Sequence, residues 1–208
     1  MLKMGETNIT QLLTETYKKI GKGAVTLIQV PPEKHMEINA EALRIITVEL
    51  GYDCVYITLS KPFEELNKLF KSKGVDIKKL FFIDAISQLY GIRKESTKNC
   101  TYVSGPLDID SITSALHEIL STLTSDKKCV FLDSITTVLL YNSMPRTIRF
   151  SQFLTQTLKN MEINAVMVSI AKGTATETLI KELSKLCDNI ITIGAEGRLT
   201  KTKGGGSK

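Results

Sequence analysis

The sequence predicts an α/β fold in which a mostly parallel central sheet lies between two layers of helices. Two observations indicate this three-layer sandwich. Short apolar segments typical of buried strands alternate along the chain with segments typical of helices. Apolar segments such as residues 54–59 also lack the polar alternation of half-exposed strands, so we expect both faces of the sheet to be covered. The length of 208 residues fits one domain, which we expect to span residues 1–203.

The predicted elements of the N-terminal half alternate from the start. Apolar residues at helical spacing from Ile9 to Ile20, with Thr7 or Asn8 as the N-cap, predict a helix within residues 7–20. The segment Gly21-Lys22-Gly23 contains a Gly-Lys pair, but a phosphate-binding loop must follow its strand, so we interpret this segment as a turn. The elements predicted next are a strand at 25–30, a helix at 38–50, a strand at 54–59, a helix at 62–73 and a strand at 80–86.

The C-terminal half continues the alternation after a polar insertion at residues 91–99, which we expect to be an exposed, mobile loop. Asp108 or Asp110 is the expected N-cap of a helix that ends near Leu123. The apolar side of the next predicted helix includes Phe153 and Met161. The other predicted elements are strands at 101–103, 128–133, 163–170, 189–193 and 198–202, and helices at 149–161 and 176–186. Residues 204–208 have the composition of a flexible tail or expression linker.

Composition excludes several classes of site. The net charge of +5 comes from 27 Lys and Arg against 22 Asp and Glu, spread along the chain, and it favours an anionic partner only weakly. The two histidines are isolated, and no cysteine pair has metal-ligand spacing, so neither a metal nor a cofactor is predicted. Reduced core thiols are expected of a cytoplasmic protein, and no apolar run is long enough to cross a membrane. The cysteines are Cys54, Cys100, Cys129 and Cys187.

The segment from Val25 to Glu37 has the outline of a phosphate-binding loop, because a buried strand leads through a proline-containing turn into a helix. A working loop has the pattern G-x-x-x-x-G-K-[ST]. The register that fits the strand and the helix places Val30 and His35 at the two glycines. The same register places Met36 at the lysine and Glu37 at the hydroxyl residue.

These four residues remove the chemistry that a triphosphate needs. Val30 resists positive φ, and the His35 side chain stands where the backbone must approach a phosphate closely. Met36 supplies no cation, and Glu37 places a carboxylate at the helix N-terminus, where a phosphate would otherwise bind. We therefore predict that this loop does not bind a nucleoside triphosphate in the ordinary way.

Several further segments follow in the order of a known family. They are Gly23-Ala-Val-Thr-Leu-Ile28, Val55-Tyr-Ile-Thr-Leu59 with Glu64-Glu65-Leu66 after it, Phe82-Ile-Asp84-Ala, and Val130-Phe-Leu-Asp133-Ser134-Ile-Thr. Each segment alone is weak, but together, from Ile20 to Thr202, they resemble the RecA-like superfamily and within it the KaiC-like ATPases. The resemblance implies the RecA-like P-loop NTPase fold.

The resemblance also assigns expected roles to single residues. It places Asp133 at the Walker B aspartate, which in the family holds Mg²⁺ through water. Ser60 and Lys61 occupy the positions of the glutamates that activate the attacking water in the family, and neither is a carboxylate. Lys61 is a candidate charge partner for a nearby carboxylate. Alternatively, Asp133, with Ser134 after it, caps the next loop through backbone N–H groups.

The leading hypothesis is a pseudo-ATPase without catalytic residues, acting as a regulatory or scaffolding interaction module. RecA-like domains meet their neighbours across the nucleotide face, so the resemblance implies a homo-oligomer or a partner ATPase. The remnant nucleotide site comprises Val30, Lys34, His35, Met36, Glu37, Asp133 and Ser134, with Ser60 and Lys61 at the lost glutamate positions.

Two alternatives stay open. In the first, Lys34 replaces the missing lysine and the protein is an atypical ATP-binding protein. In the second, basic residues bind nucleic acid, although no aromatic residues are interleaved with them. These basic residues are Arg93, Lys94, Lys98, Lys201 and Lys203.

Overall fold

Eight strands form one sheet in the computed structural model, which describes residues 9–92, 94–170, 173–194 and 199–206. The strands are β1 Val25–Val30, β2 Asp53–Thr58, β3 Leu80–Asp84, β4 Cys100–Tyr102, β5 Lys128–Asp133, β6 Asn164–Ile170, β7 Asn189–Ile193 and β8 Leu199–Lys203. The α-helices are α1 Ile9–Lys19, α2 His35–Arg44, α3 Phe63–Ser72, α4 Ile109–Thr122, α5 Ile135–Tyr141, α6 Met144–Asn160 and α7 Thr174–Leu183.

The strands lie in the order β4-β3-β2-β5-β6-β1-β7-β8, and every neighbouring pair is parallel except the antiparallel pair of β7 and β8. All strands except β8 therefore end at one side of the sheet, here called the carboxyl edge, and begin at the opposite amino edge. At the carboxyl edge, Asp133 on β5 lies level with Thr58 on β2 and Val168 on β6.

Two apolar clusters cover the faces of the sheet. One joins strand side chains to α4, α5, α6 and α7, and the other joins them to α1, α2 and α3. Apolar residues that alternate along each strand feed both clusters, because successive strand side chains point to opposite faces. The predicted α/β sandwich of three layers with a mostly parallel sheet is confirmed.

Helix boundaries differ from the prediction where a local feature overrides the periodicity. Helix α2 begins at His35 rather than residue 38, and it continues after Arg44 as a π-helical turn, Ile45–Glu49. The sequence analysis missed α5, whose seven residues are too few to show a period clearly. Phe153 on α6 and Met161, which directly follows that helix, are exposed, so their assignment to the apolar side was wrong.

The C-terminal residues that the structure describes lie against the end of α7. The amides of Gly204, Gly205 and Gly206 donate to the carbonyl groups of Asp188, Ser184 and Cys187. The predicted N-cap at Thr7 or Asn8 lies outside the described residues, as do Arg93, Arg198 and the last two tail residues, 207 and 208. Among the helices of the described residues, none is long and apolar enough to span a membrane.

Of the two predicted caps of α4, Asp108 is the one observed. Its carboxylate accepts a hydrogen bond from the Ser111 amide at 3.0 Å, and the hydroxyl groups of Ser104 and Ser111 also donate to it. These donors stabilise the charged form and lower the pKa of Asp108 to about 2.

We expect the substitution Asp108→Ala to lower the free energy of unfolding by about 1 kcal/mol at neutral pH, because an N-cap side chain is lost. The folded pKa lies below the unfolded one, so this stabilisation is present above about pH 4 and disappears as the pH falls towards 2. Urea unfolding of the wild type and the variant at several pH values measures both effects. An equal difference at all pH values would contradict the assignment, and Asp110→Ala is the matched control.

Candidate functional site

The centre of the candidate site is Asp133, the last residue of β5 at the carboxyl edge of the sheet. Its side chain is completely buried, and its backbone carbonyl accepts a hydrogen bond from the Leu59 amide at 2.8 Å. The flanking strands β2 and β6 hold β5 from both sides, so the carboxylate is fixed in position. This is the place at which the sequence analysis expected the Walker B aspartate.

Three side chains from two other parts of the chain bind the Asp133 carboxylate. His35 Nε2 contacts Oδ1. The Tyr56 hydroxyl donates to Oδ2 at 2.5 Å, and the Ser60 hydroxyl donates to the same oxygen at 3.0 Å. Both carboxylate oxygens therefore have protein partners, which is what a buried carboxylate needs to be tolerated without solvent.

A further residue, Asn39, lies one helical turn after His35 on α2. Its amide group donates to the Tyr56 hydroxyl at 3.1 Å, and its nitrogen is also 3.1 Å from His35 Nε2. Burial, with the nearby Asp133 carboxylate, raises the pKa of Tyr56 well above its usual value. Tyr56 thus stays a neutral hydrogen-bond donor, and Asn39 joins His35 and Tyr56 to the polar network of Asp133.

The turn between β1 and α2 explains how His35 reaches Asp133. Val30 is buried in the core, and the chain then passes through a 3₁₀ turn, Pro32–Lys34, before α2 begins at His35. The buried imidazole thus lies at the first position of the helix, where a phosphate-binding loop would present backbone N–H groups to its ligand. Met36 packs against the core, and Lys34 is half-buried.

Glu37 lies in the first turn of α2, so its carboxylate is near the helix N-terminus, as the sequence predicts. Its side chain is exposed, while the buried polar position at this turn belongs to His35. His35, rather than Glu37, makes the contact with Asp133.

In the structure, Asp133 and Ser134 have different roles. Asp133 does not cap the following loop, since its side chain contacts His35, Tyr56 and Ser60 instead. Ser134 is the residue that caps, and its hydroxyl accepts from the Thr137 amide at 3.2 Å at the start of α5. The capping alternative is therefore correct for Ser134 and wrong for Asp133.

Ser60 and Lys61, at the positions where the family has glutamates, both contact other side chains. Ser60 belongs to the Asp133 network, whereas Lys61 contacts Glu65 on α3. Lys61 thus has the carboxylate partner that the sequence analysis suggested, but this pair is partly exposed and lies outside the network. Neither side chain carries the carboxylate that the resemblance implies at these two positions.

Sequence reasoning missed Tyr56 and Asn39. Tyr56 lies inside an otherwise apolar strand, and a tyrosine in such a position needs a partner for its hydroxyl group. Asn39 follows His35 by four residues, the spacing at which two helical side chains are neighbours. Both signals are present in the sequence, but neither identifies the third group that these side chains share.

The basic residues proposed for nucleic-acid binding do not form one surface. Lys94 and Lys98 precede β4, at one end of the sheet, whereas Lys201 and Lys203 lie on β8 at the other end. Lys94 also contacts Glu64, and this contact lowers the pKa of that carboxyl group. Within the described ranges, no cluster of three or more His, Cys, Asp or Glu side chains has the arrangement of a metal site.

Comparisons with known proteins give one family and a common fold. A family model described as "ATPase: KaiC" matches residues 40–202, while no curated protein sequence matches the chain. The structure of the KaiC-like protein PH0186 from the hyperthermophilic archaeon Pyrococcus horikoshii OT3 is similar with a TM-score of 0.58 and 15% identity. That match covers 86% of this chain and 76% of PH0186.

A second similar structure is that of the uncharacterized protein PH0321 from Pyrococcus horikoshii, which was solved in complex with an unknown peptide. Its TM-score is 0.63 at 14% identity, and the match covers 92% of this chain and 86% of PH0321. At these identities, the two structures share the fold of the chain, and no residue role is transferred from them.

Proposed function

Because this chain belongs to the KaiC ATPase family, we propose that it is a member whose nucleotide site is closed by its own side chains and whose domain serves as an interaction module. The observation that carries the proposal is the buried Asp133 carboxylate, which His35, Tyr56 and Ser60 bind from within the chain. A family member that hydrolyses ATP would instead need this carboxylate to reach the metal of the nucleotide.

The absent loop chemistry supports the same proposal. Mg-ATP needs backbone N–H groups and a lysine around its phosphates, and a hydroxyl group together with the Walker B aspartate around its metal. Here the loop offers Met36 and Glu37 at the lysine and hydroxyl positions, and His35 occupies the space in front of Asp133. Binding in the ordinary mode would require the His35–Asp133 contact to break and the imidazole to leave the core.

Exposed apolar side chains near the carboxyl edge support the interaction role. Leu89, Tyr90, Leu107 and Leu140 are between 46% and 78% exposed. Their segments adjoin, since Gly105 packs against Leu89 and the Asn142 side chain donates to the Pro106 carbonyl at 3.0 Å. Large apolar side chains that gather on a surface are typical of protein contacts. We propose that this patch meets a second copy of the chain or a related ATPase subunit.

We expect isothermal titration with Mg-ATP to show no binding, with a Kd weaker than about 1 mM, because no donor or cation replaces the lost loop chemistry. Thermal unfolding gives an independent measurement. A ligand present at 100 times its Kd would stabilise the protein by about 2.7 kcal/mol, whereas we expect no shift of Tm. Micromolar binding of Mg-ATP that is lost in Asp133→Asn would contradict the closed site. If such binding is found, Lys34→Glu tests whether Lys34 supplies the cation that contacts the phosphates.

Sedimentation velocity tests the interaction role separately. If the patch joins two copies, the wild type should associate as its concentration rises, and Tyr90→Ser with Leu140→Ser should abolish that association. Val48→Ser with Phe153→Ser is the matched control, because these two residues are also exposed apolar side chains on other helical segments. Association that survives the patch variant would remove this surface from the proposal without affecting the closed nucleotide site.

A further inference from the structure

A cleft lined by several lysines lies at the amino edge of the sheet, opposite to the edge at which Asp133 lies. Its walls are the turn after α1, the start of β7, the end of β8 and the C-terminal turn of α6, and its volume is about 460 Å³. Volumes of this size accommodate small-molecule ligands. The cleft lies roughly 20 Å from Asp133, since a strand of six residues separates the two edges.

Lysines dominate the lining of this cleft. Lys19, Lys22, Lys159 and Lys203 contribute to its surface, and Asp188 is the acidic residue among them. The Asp188 carboxylate already has partners, because Oδ2 accepts from the Val25 amide at 2.8 Å and Oδ1 accepts from Lys159 Nζ at 3.2 Å. The acid thus neutralises Lys159, and among the described residues that line the cleft there is no second carboxylate for the other three lysines.

The acidic partners of Lys19 and Lys22 lie outside the cleft lining and hold them weakly. Lys19 Nζ is 3.8 Å from Glu15, and Lys22 Nζ is 3.7 Å from Glu162. All four side chains are more than half exposed, so water and salt screen both pairs strongly. Either lysine can turn towards an anion in the cleft at little expense in free energy.

A fifth lysine adds to the concentration of positive charge. Lys201 lies two residues before Lys203 on β8, so both side chains project from the same face of the strand. Partial burial and the nearby Lys19 ammonium group lower the pKa of Lys201, although Glu15 opposes this effect. Like charges therefore stand close together, an arrangement that an anionic ligand would relieve.

A favourable interaction with a helix end explains the position of only some of these lysines. Lys19 lies in the last turn of α1, where a cation interacts favourably with the helix dipole. Lys201 and Lys203 are strand residues, and Lys159 donates to Asp188 and to the Gly206 carbonyl, at 3.0 Å, beyond the end of α6. Lys22 belongs to the Gly21–Gly23 turn, where an added Cβ at Gly21 would meet open space, so a ligand can approach this backbone.

We propose that the amino-edge cleft binds phosphate groups through Lys19, Lys22 and Lys203, with Lys159 held in place by Asp188. The phosphates come from the backbone of single-stranded nucleic acid or from a free polyphosphate. The turn Gly21-Lys22-Gly23 thus acquires a role in anion binding, although it precedes β1 instead of following it. This site is separate from the closed nucleotide site, and phosphate binding there does not depend on the contacts of Asp133.

The test compares two probes on the wild type and a charge-reversal variant, Lys22→Glu with Lys203→Glu. Fluorescence anisotropy with a labelled oligothymidylate measures the nucleic-acid source, and isothermal titration with inorganic tripolyphosphate measures the free source. Binding of the oligonucleotide should weaken by roughly tenfold or more in the variant, and the slope of log K against log salt should become shallower by about 1.4, since two phosphate contacts are lost. Binding of tripolyphosphate alone would assign the cleft to a free polyphosphate.

The matched control is Lys68→Glu with Lys71→Glu, which removes the same charge from two exposed lysines on α3. This control should bind each probe much more tightly than the cleft variant does. Lys22→Gln with Lys203→Gln gives a milder second variant, and circular dichroism checks that all variants are folded. The proposal is overturned if neither probe binds the wild type saturably at low salt, or if the control and the cleft variant lose affinity equally.

Discussion

Replacing Asp133 with alanine is expected to lower the free energy of unfolding by about 3 to 5 kcal/mol, the range for breaking a buried charged contact. The substitution leaves the His35 imidazole and the Tyr56 hydroxyl buried without their acceptor, and each unsatisfied group costs about 1 to 3 kcal/mol. Removal of the buried carboxylate itself offsets part of this loss. Chemical unfolding followed by circular dichroism measures the difference.

Two comparison variants separate the network from simpler effects. Ser134→Ala removes only the N-cap of α5 and should cost about 1 kcal/mol. Asp133→Asn keeps the shape and one acceptor oxygen, so its effect should lie between those of the two alanine variants. A loss of less than about 1 kcal/mol for Asp133→Ala would show that the carboxylate is not bound from within the chain, and it would also remove the main support for a closed nucleotide site.

Replacing Tyr56 with alanine is the second substitution expected to have a large effect. The ring packs against Phe70, Phe82 and Phe131, with centroid distances of 5.2, 5.6 and 5.2 Å, and it is completely buried. Loss of a buried aromatic side chain typically costs about 3 to 5 kcal/mol. Here the hydroxyl contacts with Asp133 and Asn39 are lost as well, so we expect the upper part of this range in urea unfolding.

The variant Tyr56→Phe keeps the ring and removes only the hydroxyl group. We expect it to cost about 1 to 3 kcal/mol, because Asp133 then lacks one of its three donors in a buried setting. The loss should shrink when Asp133 is replaced by alanine in the same protein, since the acceptor is already absent, and a double-mutant cycle measures this coupling. Fully additive effects would mean that the hydroxyl and the carboxylate do not interact.

The layers of the fold could be predicted because they depend on local periodicity. Strands β2 and β5 are continuous apolar runs that the sequence displays directly, and the structure confirms them within one residue at either end. The π-helical turn after Arg44 and the short helix α5 were missed, since neither is long enough to impose a period of its own. Exposure of Phe153 was also missed, because the width of the buried face depends on how α6 meets the sheet.

For the candidate site, the sequence predicted several of the residues that belong to it, but not the contacts between them. The sequence placed His35, Ser60 and Asp133 at three positions of one remnant site, and the structure brings these side chains together. It did not indicate which of them contact each other. Tyr56 and Asn39 carry signals in the sequence, but their shared partners become neighbours only after folding, so the sequence does not identify those partners.

By itself, the sequence determined a parallel α/β sandwich and the residue types that stand in the loop after β1, because both are local properties of the chain. Only the tertiary structure decided that the Asp133 carboxylate is bound by His35, Tyr56 and Ser60, and that lysines far apart in the sequence, Lys22 and Lys203, line one cleft. The physical reason is that a buried charge and a charged surface are both defined by their neighbours in space. Those neighbours are set by the order in which the strands pair.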